Sequence, residues 1–165
     1  NEKRIHGEAR FAELMDLIME DRRNRFKTGV SKRIPHSPVD PTKELSAWPF
    51  PEVQLIFNEI KRTEAPRHLH ESTIESVELL LAYNVFPYLK RIVNTPTLMV
   101  VAEGDNITLW DLEIEAFRQI MSQRKKLVVL PKTTHMSLYN NQMKLERAAL
   151  AAADWFEAYL VRQEQ

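Results

Sequence analysis

The chain has 165 residues, 44% hydrophobic and 28% charged, and its 23 basic and 23 acidic side chains leave no net charge. That is enough chain for one ordinary globular core, with no bulk field to draw nucleic acid or an acidic lipid surface. The lack of cysteine excludes a disulfide scaffold, a thiolate nucleophile and a Cys-ligated metal; no apolar run nears the roughly 20 residues of a membrane helix, no secretory signal is present, and the composition reads as cytoplasmic.

Residues 8–26 have the spacing of a helix, with Phe11, Leu14, Met15 and Ile18 on one face. Its end, Asp21-Arg22-Arg23-Asn24-Arg25, reads as a solvated or internally paired helix terminus ahead of a grip on an anionic ligand. From Lys27 to Pro51 five prolines deny backbone donors, which predicts an extended, surface-hugging excursion. Its aromatic pair, Trp48 and Phe50, either lines a substrate pocket or pins the loop to the core. Val53, Ile56, Phe57 and Ile60 predict a short helix that Pro66 ends. Ser72-Thr73-Ile74-Glu75 matches a capping box, predicting a helix from Ser72 to about Tyr83 with Ile74, Val77 and Leu81 inward. His68 and His70 lack a third ligand nearby in sequence and do not read as a metal site.

The organising stretch lies between Thr95 and Tyr139. Two apolar β-branched runs, Thr97–Ala102 and Leu127–Leu130, flank an amphipathic segment whose stripe is Trp110, Ile114, Phe117 and Met121. Strand, helix, strand makes a β-α-β unit, so the strands should be parallel and the crossover right-handed. Each run ends in a loop that presents a polar group: Asp105 after the first, His135 after the second. A carboxylate orienting an imidazole is half of a relay that activates a nucleophile. Glu103 and Asp111 are alternative acids. Asn140 or Asn141 can cap a last helix whose inward face would be Leu145, Ala149, Ala152, Phe156 and Tyr159.

These residues carry a resemblance. The run P-T-L-M-V-V-A-E-G-D-N-I-T, the His loop and the Asp154-Trp155-Phe156 helix resemble the C-terminal part of an α/β-hydrolase. Asp21-Arg22 with Arg25, and Ala65-Pro66 followed by Glu71, Thr73, Ser76 and Glu78, resemble signatures of its fungal and bacterial subgroup of polyketide transferases and thioester hydrolases. The resemblance spans about Ala9 to Leu160. It implies an α/β fold in part: a helical cap or lid over residues 1–94 that chooses the substrate, then β-α-β-α with two parallel strands over residues 95–165. It implies Asp105 as triad acid and His135 as general base. Trp48, Phe50 and Trp110 are the expected substrate contacts, and neither metal nor cofactor is expected. The chain departs from the family where Leu109 and Trp110 stand in place of a proline, and where Lys132-Thr133-Thr134 replace glycines before the His.

The nucleophile is missing. The three glycines, Gly7, Gly29 and Gly104, build no G-x-S-x-G elbow. Because Asn1 is not an initiator Met, the sequence reads as a processed, truncated or partial chain beginning downstream of that elbow. The expectation is the distal part of a serine hydrolase or acyl transferase acting on a small-molecule ester or thioester, inactive by itself. A two-strand remnant also predicts association with the missing N-terminal half or with a second copy. The competing expectation is a non-catalytic binding module on the same fold.

Overall fold

A computed structural model describes residues 2–40 and 43–161 and divides the chain into two compact units, Asn1–Asn84 and Val85–Gln165. The division falls before the 94/95 boundary expected from sequence, and the short helix Phe86–Leu89 packs within the second unit.

In the first unit, α1 (Glu2–His6) packs on the long helix α2 (Glu8–Thr28). Gly29 takes the left-handed conformation and returns its N–H to the Arg25 carbonyl, which ends α2 where a side chain would be strained. Residues 33–35 form β1 (Arg33–Pro35), and α3 (Pro51–Thr63) starts with proline at a position where no donor is needed. The three-residue strand β2 (Glu71–Thr73) pairs antiparallel with β1 and leads straight into α4 (Ile74–Ala82). Leu14, Ile18, Ile34, Ala47, Ile74 and Val77 make one buried cluster, with Trp48 and Leu81 packed against it.

Two expectations for this unit change. The helix cap is Thr73, not Ser72: the Thr73 hydroxyl accepts the Ser76 N–H at 3.1 Å. Ser72 is held in the ladder opposite Ile34, and the Glu75 carboxylate turns to Arg25 instead of back to the cap. The proline-rich excursion is also not a surface path throughout, since Pro38, Ser46 and Ala47 are buried. Here β1 and the turn after it enter the core through the Ala47 N–H bond to Pro35 and the Trp48 N–H bond to His36.

The second unit opens with α5 (Phe86–Leu89), followed by β3 (Thr97–Ala102), α6 (Trp110–Gln119) and β4 (Lys125–Leu130). The strands are parallel, with Thr97 opposite Lys125 and Ala102 opposite Leu130. A four-residue turn, α7 (Ser137–Asn140), precedes α8 (Gln142–Phe156), which packs on both strands. Asn141 is the residue that caps α8, accepting the Lys144 N–H at 3.2 Å. The stripe of α8 is rotated from the expected one: Ala148, Ala151, Ala152 and Trp155 are half-buried, whereas Leu145, Ala149 and Phe156 are exposed. Alanines allow close approach to two strands, and Leu145, Leu150 and Phe156 are left outward. Met121 likewise lies beyond the end of α6 and is exposed. Among the described residues, no helix is long and apolar enough to cross a membrane.

Candidate active site

Both site loops leave the carboxyl ends of neighbouring parallel strands, where open α/β sheets gather functional groups. The β3 ladder continues one residue further, Glu103 N–H donating to the Leu130 carbonyl at 3.1 Å, and the loops are then tied to each other. Gly104 N–H donates to Thr133 O at 3.0 Å, and the Glu103 carboxylate accepts the Lys132 N–H at 3.0 Å. Lys132 adopts a positive φ of 51°, a conformation that favours glycine, and its carbonyl accepts Lys144 Nζ at 2.6 Å. Glu103 is thereby a strut between the loops, not the acid of the pair.

The pair itself is Asp105 with His135. Nδ1–H of the imidazole donates to Asp105 Oδ2 at 2.8 Å. The other carboxylate oxygen, Oδ1, accepts the N–H groups of Ile107 at 2.9 Å and Thr108 at 2.8 Å. Asp105 is 7% exposed. Burial pushes its carboxyl up, but the bonds from His135, Thr108 and Ile107 outweigh it and hold the group at about 2. It is therefore a fixed negative charge at neutral pH. The His135 ring is half-buried and tilted against Tyr139 at 5.6 Å.

Trp110, the third expected site residue in this unit, begins α6 and is half-buried; its backbone N–H donates to the Asp105 carbonyl at 3.1 Å. Leu109 before it has φ 68°, a strained conformation for a bulky side chain. Trp48 and Phe50 belong to the first unit. Trp48 lies against that unit's core with its ring 5.2 Å from His36, and Phe50 is half-buried ahead of α3.

The structure adds groups that the sequence reading passed over. Thr108 serves Asp105 by its N–H and Glu113 by its hydroxyl, at 2.8 Å in both cases. The signal was available as D-x-x-T, an acid followed by its own turn donor. In the first unit His36 joins His68 and His70, with ring centroids of His68 5.3 Å from His36 and 4.5 Å from His70. Their ring nitrogens His36 Nδ1, His68 Nε2 and both of His70 are buried without a hydrogen-bond partner. The rings pack as aromatic bodies with Trp48 and Phe57, and no group among the described residues is arranged to hold a metal ion. Two cavities, about 590 Å³ beside α2 and α4 and about 430 Å³ beside Trp155 and Tyr159, are lined by neither Asp105 nor His135.

Two solved structures share this arrangement of chain. DcsB, solved in complex with its substrate analogue, matches with a TM-score of 0.69 and 16% identity, over 90% of this chain and 51% of its own. The α/β hydrolase GrgF from Penicillium sp. sh18 matches with a TM-score of 0.71 and 17% identity, over 93% of this chain and 50% of its own. The fold is an α/β-hydrolase fold, present in part. The chain spans about half the length of the solved structures it matches. No protein-family model and no curated protein matches it in sequence. Within an α/β-hydrolase fold the two parallel strands are a portion of the sheet, and helices α6 and α8, which hold no buried residue, flank that portion.

Proposed function

We propose that the chain supplies the acid and the general base of a serine α/β-hydrolase that acts on ester or thioester acyl substrates. The observation that carries this is the 2.8 Å bond from His135 Nδ1 to a buried, ionised Asp105 at the ends of adjacent parallel strands. With Nδ1 donating to the carboxylate, proton transfer runs through Nε2. A serine contributed from outside this sequence attacks the acyl carbonyl and gives its proton to Nε2; Asp105 steadies the imidazolium. The carbon–oxygen or carbon–sulfur bond then breaks, and His135 returns the proton to the leaving group. Water or another acceptor attacks the acyl-enzyme with His135 again as base, so the acceptor decides between hydrolysis and transfer. Trp110, next to the acid loop, is the candidate contact for the acyl group.

The same proposal includes a covering partner, either the remaining half of the fold or a second copy. The two-stranded sheet and the outward Leu150 and Phe156 of α8, 64% and 56% exposed, support it. Sedimentation of the isolated chain checks this; a monomer that unfolds cooperatively counts against it.

A fluorophosphonate probe tests the chemistry on the full-length protein that carries this chain. Labelling should occur and should be abolished by His135→Ala. If neither form is labelled, the fold serves as a binding module, the reading favoured by the lack of G-x-S-x-G in this sequence.

A further inference from the structure

The cavity of about 430 Å³ in the second unit lies at the end of the strands away from the Asp105–His135 pair. Pro96, just before β3, and Arg124, just before β4, line it, whereas Asp105 and His135 follow those strands. Further lining comes from Trp155 and Phe156 at the end of α8, and from Tyr159 in the π-helical turn Glu157–Val161 that continues it. Turns of that kind are rare and often mark functional sites. The Trp155 and Tyr159 ring centroids stand 4.4 Å apart, and Phe156 is exposed.

Arg124 is the one charged side chain among the described residues of this lining. Its backbone carbonyl accepts the Thr97 N–H at 2.9 Å, and its Nη2 donates to the Asn94 carbonyl at 2.7 Å. These bonds fix the guanidinium where the two strands begin. Such a tie needs one N–H, and a guanidinium carries five. Among the described residues its other N–H groups have no partner, and no carboxylate in the lining neutralises the charge. A positive fork beside aromatic faces suits a carboxylate carried on a flat ring: the two oxygens take parallel N–H bonds while the ring stacks. An occupant of this volume is a small molecule.

We propose that this cavity binds a small aromatic carboxylate, with Arg124 on the carboxylate and Trp155 and Tyr159 against the ring. The site is separate from the acid–base pair and does not depend on the role given to His135.

The test titrates 2-naphthoate into the full-length protein that carries this chain, with 2-naphthamide as the uncharged control of the same shape. Affinity is read by calorimetry and location by the Trp155 indole N–H resonance. The acid should bind and shift that resonance, and the amide should bind about tenfold more weakly. Arg124→Gln can still donate to the Asn94 carbonyl; it should weaken the acid by about tenfold and leave the amide unchanged. Equal affinity for acid and amide, or undiminished binding of the acid by Arg124→Gln, would overturn the proposal. So would an unmoved Trp155 resonance, the result expected if the remaining half of the fold or a second copy already fills the cavity. The comparison of acid with amide needs no substitution and decides the matter if the glutamine variant does not fold.

Discussion

Asp21 in the first unit and Asp105 in the second are both buried carboxylates, and the two are satisfied by different kinds of donor. Asp21, fully buried, accepts Arg25 Nε at 2.9 Å, the Ser31 hydroxyl at 2.8 Å and the Lys32 N–H at 2.7 Å. Arg25 continues to Glu75 and Glu78, and Arg22 pairs with Glu78 as well, which binds α2 to α4. A guanidinium does not lose its proton in a protein, so this network has one state and its role is structural. Asp105 is held by two backbone N–H groups and an imidazole. The imidazole is the one donor of the set that changes charge near neutral pH. The two buried acids thus differ in whether a partner can change its charge near neutral pH.

The contrast is broken most directly by exchanging amide for acid at each position. Asp105→Asn should lower ester turnover of the full-length protein by about 10⁴, because the imidazole loses the acceptor that fixes its tautomer. The fold should largely persist, as the amide oxygen still accepts from Ile107 and Thr108. Asp21→Asn should instead destabilise the first unit by about 3 kcal/mol, read as a lower unfolding midpoint, since it leaves Arg25 and its neighbours short of a charge. If both substitutions damaged the same property, the distinction would be lost.

Acid sharpens the comparison. Burial pushes the Asp21 carboxyl up, and the bonds from Lys32, Ser31 and Arg25 more than offset it, so it sits below 3.8; Asp105 sits at about 2. A carboxyl depressed by folding contributes stability that is complete above its unfolded value and is lost as pH falls through the folded one. Unfolding followed against pH should therefore lose both contributions below 3.8. The histidine cluster acts at higher pH. Burial lowers His36 and His70, and their neighbours His68 and His70, or His68 and Lys61, lower them further; Glu71 opposes this at His36. Their stabilising effect is complete above the unfolded value of 6.5 and declines as pH falls toward the lower folded values. The melting temperature of the first unit should drop as pH falls below the unfolded value of 6.5, and the drop should shrink in His70→Asn, which tolerates the positive φ at that position.

The smallest expected effect concerns the cap of α4. Thr73→Ala should cost about 1 kcal/mol by equilibrium unfolding, and Ser72→Ala should leave the cap intact. The reverse order would restore the sequence reading of that capping box.

The second unit was legible in the sequence because its signals are local. Two apolar runs gave the strands, and each ends in the loop that holds Asp105 or His135. What pairs those two residues is a parallel register, which the intervening amphipathic helix implies. The first unit was less legible because its contacts are distant. Asp21 lies eleven residues from Lys32, and His36 lies 36 residues from Ser72, so no spacing rule joins them. Glu113 was passed over for a different reason: on a helix surface a glutamate is common, and its bond from the Thr108 hydroxyl is set by the turn between them. Prolines between Lys27 and Pro51 argue for extended backbone, which is correct locally at β1, but they do not say which stretch turns inward.

Parallel pairing also governs how the site comes into being. Strands β3 and β4 cannot close through a tight hairpin; residues 103–124 must traverse α6 before Lys125 meets Thr97. Such long-range closure is slow relative to local turns. Asp105 and His135 therefore come together only when that crossover is in place. Their bond is thus a tertiary contact 30 residues apart in sequence, and it depends on α6 as much as on the two loops that end in it.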